Sequence, residues 1–362
     1  MRIAIAHDSI TQMGGAERVL KALHELYPEA PVFTLVYDRK LSGYFDGWTI
    51  VSSPLQYLYN LVPKFKLMLP FIPAAIRFFD FSGFDVVLST SSAFIKNIMP
   101  PKGVIHICYC HTPARFLWLE TDSYLRDEAP GWLRPCLRMF LKYMRKWDMA
   151  GSKRVTAFIA NSKNVSQRIK NIYGRDSAVI YPGVDTGLFY PTAQKGNFCL
   201  LAARQQAHKR SDLVIKAFNE SGKELHVAGS GRAMDHLRAM AKSNIKFLGR
   251  LSDHSLVDEY SAANVFIFPQ EEDFGLAPLE AMACGTPVAA YARGGALETV
   301  IPGKTGVLFD EQTDDAINEA LDQLSKMNIK QEDLFEQAHR FSQEKFESQI
   351  KAFVEGIYAA GN

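Results

Sequence analysis

The sequence predicts an α/β protein made of two doubly wound halves, each with a parallel sheet. Three observations lead there. Short apolar runs alternate with longer segments of helical period. The alternation stops once and restarts at Phe198. A chain of 362 residues is also about two domains long.

In the first half the strand candidates are 2–6, 32–35, 86–89, 104–108, 157–159 and 178–180, with helical segments such as 16–26 and 135–147 between them. In the second half they are 198–202, 224–228, 245–247, 265–268, 288–290 and 306–308, with a helix over 211–218 after the first. The stretch YPGVDTGLFYPTAQKG, 181–196, carries two prolines and three glycines and reads as the linker. The expected domains are 1–187 and 195–342. A last helix near 343–358 could belong to either half.

Apolar residues make up 47% of the chain and charged residues 22%, as in a globular chain with buried cores. Cys108 and Cys110 are too close for the usual metal-ligand gap, and the other three cysteines are scattered, so neither a zinc site nor a disulfide framework is expected. A reducing, cytoplasmic setting fits that usage. The opening RIAIAH is strand-like and lacks the pattern of a cleaved leader. The most apolar stretch, 55–81, is interrupted by Lys64, Lys66 and Arg77 and by three prolines, so it is not a spanning helix.

Residues 1–192 hold 23 Lys+Arg against 15 Asp+Glu, and residues 193–362 hold 18 against 24. A basic half joined to an acidic half points the first half toward something anionic. No nucleic-acid module is recognisable, which leaves an anionic membrane surface as the better partner.

In open α/β sheets, ligands bind beyond the carboxyl ends of strands, so the strand-to-helix turns carry the chemistry. HDSITQMGGAERVL puts Gly14 and Gly15 between a strand and a helix, where backbone can approach a ligand and helix amides favour anions. The third glycine of a dinucleotide fingerprint is missing. CYCHTPARFLW sets His111 just past a strand, where it could hydrogen-bond a sugar or phosphate, carry a proton, or merely cap a helix. LAARQQAHKRSD offers Arg204 and Lys209 at a helix start, a cation pair suited to a pyrophosphate. Gly229 belongs to a nucleotide-side turn, Gly229-Ser230-Gly231, after the next strand.

The strongest signal is FIFPQEEDFGLAPLEAMACGTPV. A buried strand ends in a loop bearing Glu272, and a helix follows with Glu280 in its first turn or so. Carboxylates accept hydrogen bonds from vicinal hydroxyl pairs, so one can hold a hexose and the other a ribose. The amides of Phe274, Gly275 and Leu276 can point at sugar or phosphate oxygens. Gly294-Gly295 forms another close-approach turn.

These motifs together resemble the family-4 retaining glycosyltransferases of GT-B fold. The matching pieces are GGAER at 14–18, CHTP at 110–113, R-x-x-x-x-K at 204–209, GR at 249–250, EEDFGLAPLEAMACGTPV at 271–288 and RGGALETV at 293–300. Their wording most resembles bacterial O-antigen and exopolysaccharide mannosyltransferases that use GDP-mannose. The resemblance implies two Rossmann-like domains facing across a cleft, with 343–362 crossing back to the first. It implies Arg204 and Lys209 on the donor diphosphate, Glu272 on the transferred sugar and Glu280 on the ribose. His111 would face that sugar, Gly14 and Gly15 would line the cleft, and Gly229 and Arg250 would lie on the nucleotide side. Retention would proceed by same-face attack, with the two cations standing in for a metal, so neither metal nor cofactor is expected. One departure is visible, since Ala202-Ala203 precede Arg204 where the family usually has a glycine.

The implied acceptor is a glycan or lipid-linked glycan. In WLRPCLRMFLKYMRKWD the cations Arg134, Arg138, Lys142 and Arg145 or Lys146 recur at helical spacing among Trp132, Phe140 and Trp147. Such a helix could lie peripherally on the inner face of the cytoplasmic membrane, and 55–81 could touch lipid or shape an acceptor pocket. Rival readings are a UDP-sugar-dependent relative, a nucleotide-sugar epimerase, and a silent sugar-nucleotide-binding subunit.

Overall fold

The computed structural model describes residues 1–128 and 130–361. The chain divides into two compact units. One is Met1–Tyr181 with the chain from Glu347 onward, and the other is Pro182–Phe346. The division falls at the start of the proline- and glycine-rich stretch. That stretch is tied to the second unit: Val184 N–H donates to Phe341 O at 2.8 Å and Gly196 N–H to Ala262 O at 2.7 Å.

Among the described residues the first unit holds seven strands: β1 (Ile3–His7), β2 (Val32–Thr34), β3 (Ile50–Ser52), β4 (Val86–Ser91), β5 (Ile105–Cys110), β6 (Ala157–Ala160) and β7 (Ser177–Val179). All pair in parallel, in the order β3-β2-β1-β4-β5-β6-β7. β1 and β4 are buried at every position, which is why they read as unbroken apolar or small-residue runs. β3 was not expected from the sequence. It is a half-exposed, three-residue edge strand with little apolar pattern.

The second unit holds β8 (Phe198–Ala202), β9 (Glu224–Ala228), β10 (Ile245–Gly249), β11 (Val265–Phe268), β12 (Val288–Tyr291) and β13 (Gly306–Phe309). Their order is β10-β9-β8-β11-β12-β13, again all parallel. In both sheets the order reverses at the first strand, between β1 and β4 and between β8 and β11. Those reversals open the crevices where ligands enter this architecture. The last helix, Gln343–Gly361, is continuous, and from Glu347 on it packs with the first unit.

The Arg134–Ser152 helix of the first unit runs five residues beyond the expected end. A buried polar knot holds the extension. Lys96 Nζ contacts the Asp148 carboxylate and donates to Ala93 O at 3.0 Å. Trp118 Nε1 and Tyr173 Oη each donate to Asp148 Oδ2 at 2.8 Å. Gly151 is required there, because a Cβ would lie 1.6 Å from Asn97 Oδ1.

The same helix differs from its expected basic-aromatic face. Phe140 and Trp147 turn inward against the core. Arg145 donates to Leu117 O and Thr121 Oγ1 and lies over the Trp118 ring, while Arg138 pairs with Asp122 at 3.2 Å. Arg138, Met139, Lys142, Tyr143 and Lys146 are exposed on the helix, and Trp132 is exposed in the turn before it. Among the described residues no helix is long and apolar enough to cross a membrane.

Candidate functional site

In the second unit the crevice lies where β8 and β11 diverge. Past β8 the chain turns through 203–210 before the Ser211–Ser221 helix. Gln205 anchors this loop and is fully buried. Its amide donates to Ala203 O and Ala228 O at 3.0 Å, and its oxygen accepts from Ser211 Oγ at 2.7 Å. With Gln205 turned inward, Arg204 is exposed beside it. Arg210 takes the left-handed conformation, φ 54°, and its guanidinium reaches Gln312 Oε1 at 2.9 Å. That twist caps the helix that starts at Ser211, two residues past Lys209.

Gly229, read as a nucleotide-side turn, has a local reason to be glycine. Its φ is 108°, and a Cβ would lie 1.9 Å from Ala203 O. Gly231 meets Gln205 O in the same way at 2.0 Å. The β9 turn therefore presses backbone to backbone on the cation loop and sets its height.

Past β11, Glu272 forms an isolated parallel bridge with Gly294, and Gly295 N–H donates to Glu272 O at 2.9 Å. A Cβ at Gly294 would lie 2.1 Å from Glu272 O, and one at Gly295 would lie 2.0 Å from Phe274 O. The close approach read at this glycine pair is thus made by the protein's own acidic loop. Phe274 is buried with its ring 5.7 Å from Phe341, so its side chain belongs to the core of the unit. Gly275 sits at φ 84° over the Phe268 ring. Leu276 precedes the Ala277–Ala283 helix.

The two loops meet. Lys209 Nζ contacts Glu272 Oε1, and Gln270 Nε2 donates to the same oxygen at 3.1 Å. Lys209 and Glu272 keep 17% and 29% of their side chains exposed, so the pair borders solvent. Glu280 is buried, with Tyr260 Oη donating to its Oε2 at 3.3 Å. A cation, a half-exposed carboxylate, exposed Arg204 and a second carboxylate thus cluster at one end of the sheet. Such a set can grip an anion and hydroxyl groups together. Arg250 follows β10, two strands from β8, and is exposed. Among the described residues no group of three or more His, Cys, Asp or Glu is gathered as a metal ion would need.

The first unit carries its own cluster where β1 and β4 diverge. The Asp8 carboxylate accepts four backbone N–H bonds, from Ser92, Ala93, Phe94 and Ile95, at 2.5 to 2.8 Å. It locks the turn after β4 to the end of β1. Sequence reading missed Asp8, although a carboxylate directly after the first strand was a usable signal. Gly14 caps the Gly15–Leu26 helix, and a Cβ on it would lie 3.1 Å from Glu17 Oε2. Gly15 has open space at its Cβ position.

His111 donates its backbone N–H to Ser91 O at 2.8 Å, and its Nε2 lies 2.7 Å from Thr90 Oγ1. Burial first, and the neighbouring His7 second, push its pKa down to about 3. The ring is therefore neutral near pH 7. Of the roles open to it, hydrogen bonding fits this environment and proton carriage near neutrality does not.

Known proteins align with both units. Residues 13–188 match the family described as Glycosyltransferase Family 4, and residues 190–341 match Glycosyl transferases group 1. A GDP-mannose-dependent monoacylated alpha-(1-6)-phosphatidylinositol monomannoside mannosyltransferase from Corynebacterium glutamicum is 36% identical over 138 residues, 34% of this chain and 36% of that protein. A D-inositol 3-phosphate glycosyltransferase from Mycobacteroides abscessus is 32% identical, over 45% of this chain and 44% of that one. The alignments thus span less than half the length of these two relatives. An alpha-1,3/1,6-mannosyltransferase, ALG2, of Dictyostelium discoideum is 26% identical over 88% of both chains.

Among solved structures, sucrose-phosphate synthase from Thermosynechococcus elongatus superposes with TM-score 0.74 at 19% identity, over 99% of this chain and all of that one. HepE of Anabaena, in complex with UDP, gives 0.71 at 18% identity, over 98% and 100%. These likenesses speak for the fold. With two parallel Rossmann-like sheets and the two family matches covering nearly the whole sequence, the chain belongs to the family-4 glycosyltransferases of GT-B fold.

Proposed function

We propose that this protein is a retaining glycosyltransferase that moves mannose from GDP-mannose to a glycan or lipid-linked glycan acceptor in cell-surface polysaccharide synthesis. The observation that carries the transferase reading is the Lys209–Glu272 contact at the reversal of the second sheet, with Arg204 on the same loop. The mannose assignment draws on the relatives named as mannosyltransferases.

In this reading Lys209 and Arg204 bind the donor diphosphate. Glu272 accepts from hydroxyls of the transferred sugar, and Glu280 from the ribose. The backbone of Phe274, Gly275 and Leu276 faces sugar and phosphate oxygens. From the first unit, His111 acts as a neutral hydrogen-bonding group toward substrate, and the Gly14-Gly15 turn gives backbone room.

The bond between the anomeric carbon and the phosphate oxygen breaks as the acceptor oxygen forms its bond on the same face. The acceptor's proton passes to the leaving phosphate oxygen. Negative charge grows on the diphosphate in that step, and fixed cations are most effective where charge develops. Lys209 and Arg204 supply them, so transfer is expected to survive chelation of divalent metal.

The test is donor turnover by the full chain, with GDP-mannose and UDP-sugars compared in the presence of EDTA. Turnover of GDP-mannose with release of GDP is expected. Preference for a UDP-sugar would overturn the mannose assignment alone. Sugar inversion without any acceptor would favour an epimerase, and binding without turnover a silent subunit.

A further inference from the structure

The segment from Leu55 to Phe79 in the first unit has two faces of opposite purpose. Its inner face buries Leu55, Tyr59, Met68, Leu69, Ile72 and Phe79 in the core cluster under the sheet. Those contacts fix the backbone of the Leu55–Leu61 helix and the short helical turns after it. The residues between them are thereby held outward. Tyr57, Leu61 and Phe78 are 71–80% exposed, and Leu67 and Phe71 more than half. Of the large apolar side chains exposed among the described residues, more than a third fall in these 22 positions, 57–78. A patch of this density on a folded unit marks a surface built to be covered.

The charges within the segment are all of one sign. Lys64, Lys66 and Arg77 are exposed, and no Asp or Glu occurs between Asp46 and Asp80. Protein interfaces are depleted in lysine at their apolar cores. An anionic bilayer takes both components at once, bulky apolar and aromatic side chains at the acyl boundary and cations at the headgroups.

We infer that residues 57–78 form a docking surface for an anionic lipid bilayer, with Tyr57, Leu61, Leu67, Phe71 and Phe78 entering the interface and Lys64, Lys66 and Arg77 holding lipid phosphates. This moves the membrane contact away from the Arg134–Ser152 helix, whose aromatic residues are partly folded inward. The inference rests on the acceptor-side reading only for its purpose, delivery of the chain to a lipid-linked glycan.

The test is co-sedimentation of the full chain with vesicles of equal parts phosphatidylglycerol and phosphatidylcholine, against phosphatidylcholine alone. Binding is expected only with the anionic lipid. The pair Leu61→Ser and Phe71→Ser should weaken it at least about tenfold, since both side chains lose their apolar insertion. Reversing Lys64 or Lys66 to Glu should weaken it at least about fivefold per residue and flatten its salt dependence. GDP binding, measured without lipid, should be unchanged in all these variants, which separates failure here from failure of the transferase reading. Vesicle binding that is absent, indifferent to lipid charge, or lost only in Lys142→Glu and Lys146→Glu would overturn the inference. Self-association through 57–78 in place of vesicle binding would overturn it too.

Discussion

Lys209 Nζ lies against Glu272 Oε1, joining the loops that leave β8 and β11 although 63 residues of sequence separate them. The contact is partly solvated, so as an ion pair it stabilises the fold by under about 1 kcal/mol. Its value is positional, because it sets a cation and a carboxylate side by side at the point where the sheet order reverses. Lys209→Ala and Glu272→Ala should therefore leave the thermal unfolding midpoint nearly unchanged. Removing a group that stabilises developing charge lowers kcat by roughly 10²–10³, and that loss is expected for Lys209→Ala in GDP-mannose turnover. Near-wild-type turnover, or activity lost only together with cooperative unfolding, would contradict the assigned role.

Acid should weaken the protein through two histidines whose surroundings disfavour the charged ring. Burial, then Arg154 and Lys96, push the His106 pKa down to about 3, and His111 is lowered similarly by burial and His7. In the unfolded chain both take up a proton near pH 6.5, while in the folded chain they stay neutral until about pH 3. The unfolded state thus binds more protons between those values. Stability is fully present above the unfolded pKa and declines as pH falls below it, by about 1.4 kcal/mol per pH unit for His106. Urea midpoints measured from neutral pH downward should show that slope, and His106→Asn should reduce it. An unchanged slope in the variant would refute the assignment.

The Lys96–Asp148 pair gives a third prediction. Both side chains are essentially buried, and the carboxylate is also held by Trp118 and Tyr173. Breaking a buried pair leaves an uncompensated charge and costs about 3–5 kcal/mol. Asp148→Ala should lose about that much in chemical denaturation. The double variant Lys96→Met with Asp148→Leu should recover part of it, because no lone charge remains. A loss no larger for the single variant than for the double would argue against the knot.

The architecture was legible because parallel strands buried on both faces are written as compact apolar runs. Phe198–Ala202 and Val265–Phe268 begin and end where those runs do. β3 escaped because an exposed edge strand needs no such run. The Arg134–Ser152 helix reads short because Asp148 interrupts the apolar pattern, and only its distant partners make it a core residue. In the cluster where the second sheet reverses, the charged residues were visible from their types and spacing. Gln205 was not, since it acts on backbone and side chains brought near only by the fold. Asp8 of the first unit showed its place after a strand but not its purpose, because its four backbone partners lie 84 to 87 residues away. The glycines were visible as glycines, but their reasons were not. Gly229 and Gly295 yield to neighbouring backbone, whereas Gly15 yields to nothing in the chain itself.

That contrast separates two kinds of glycine by experiment. At Gly295 an added methyl would sit 2.0 Å from Phe274 O, so the acidic loop must move. Gly295→Ala should destabilise by about 1–3 kcal/mol and lower turnover by displacing Glu272. At Gly15 a methyl meets no atom within 4 Å, and the residue opens the Gly15–Leu26 helix, where alanine is favoured. Gly15→Ala should therefore be as stable as the parent or slightly more so. If the turn exists to let a ligand approach, this stable variant should still raise KM or lower kcat/KM. Unchanged kinetics would mean that Gly15 is a simple helix start and that the ligand contacts lie elsewhere.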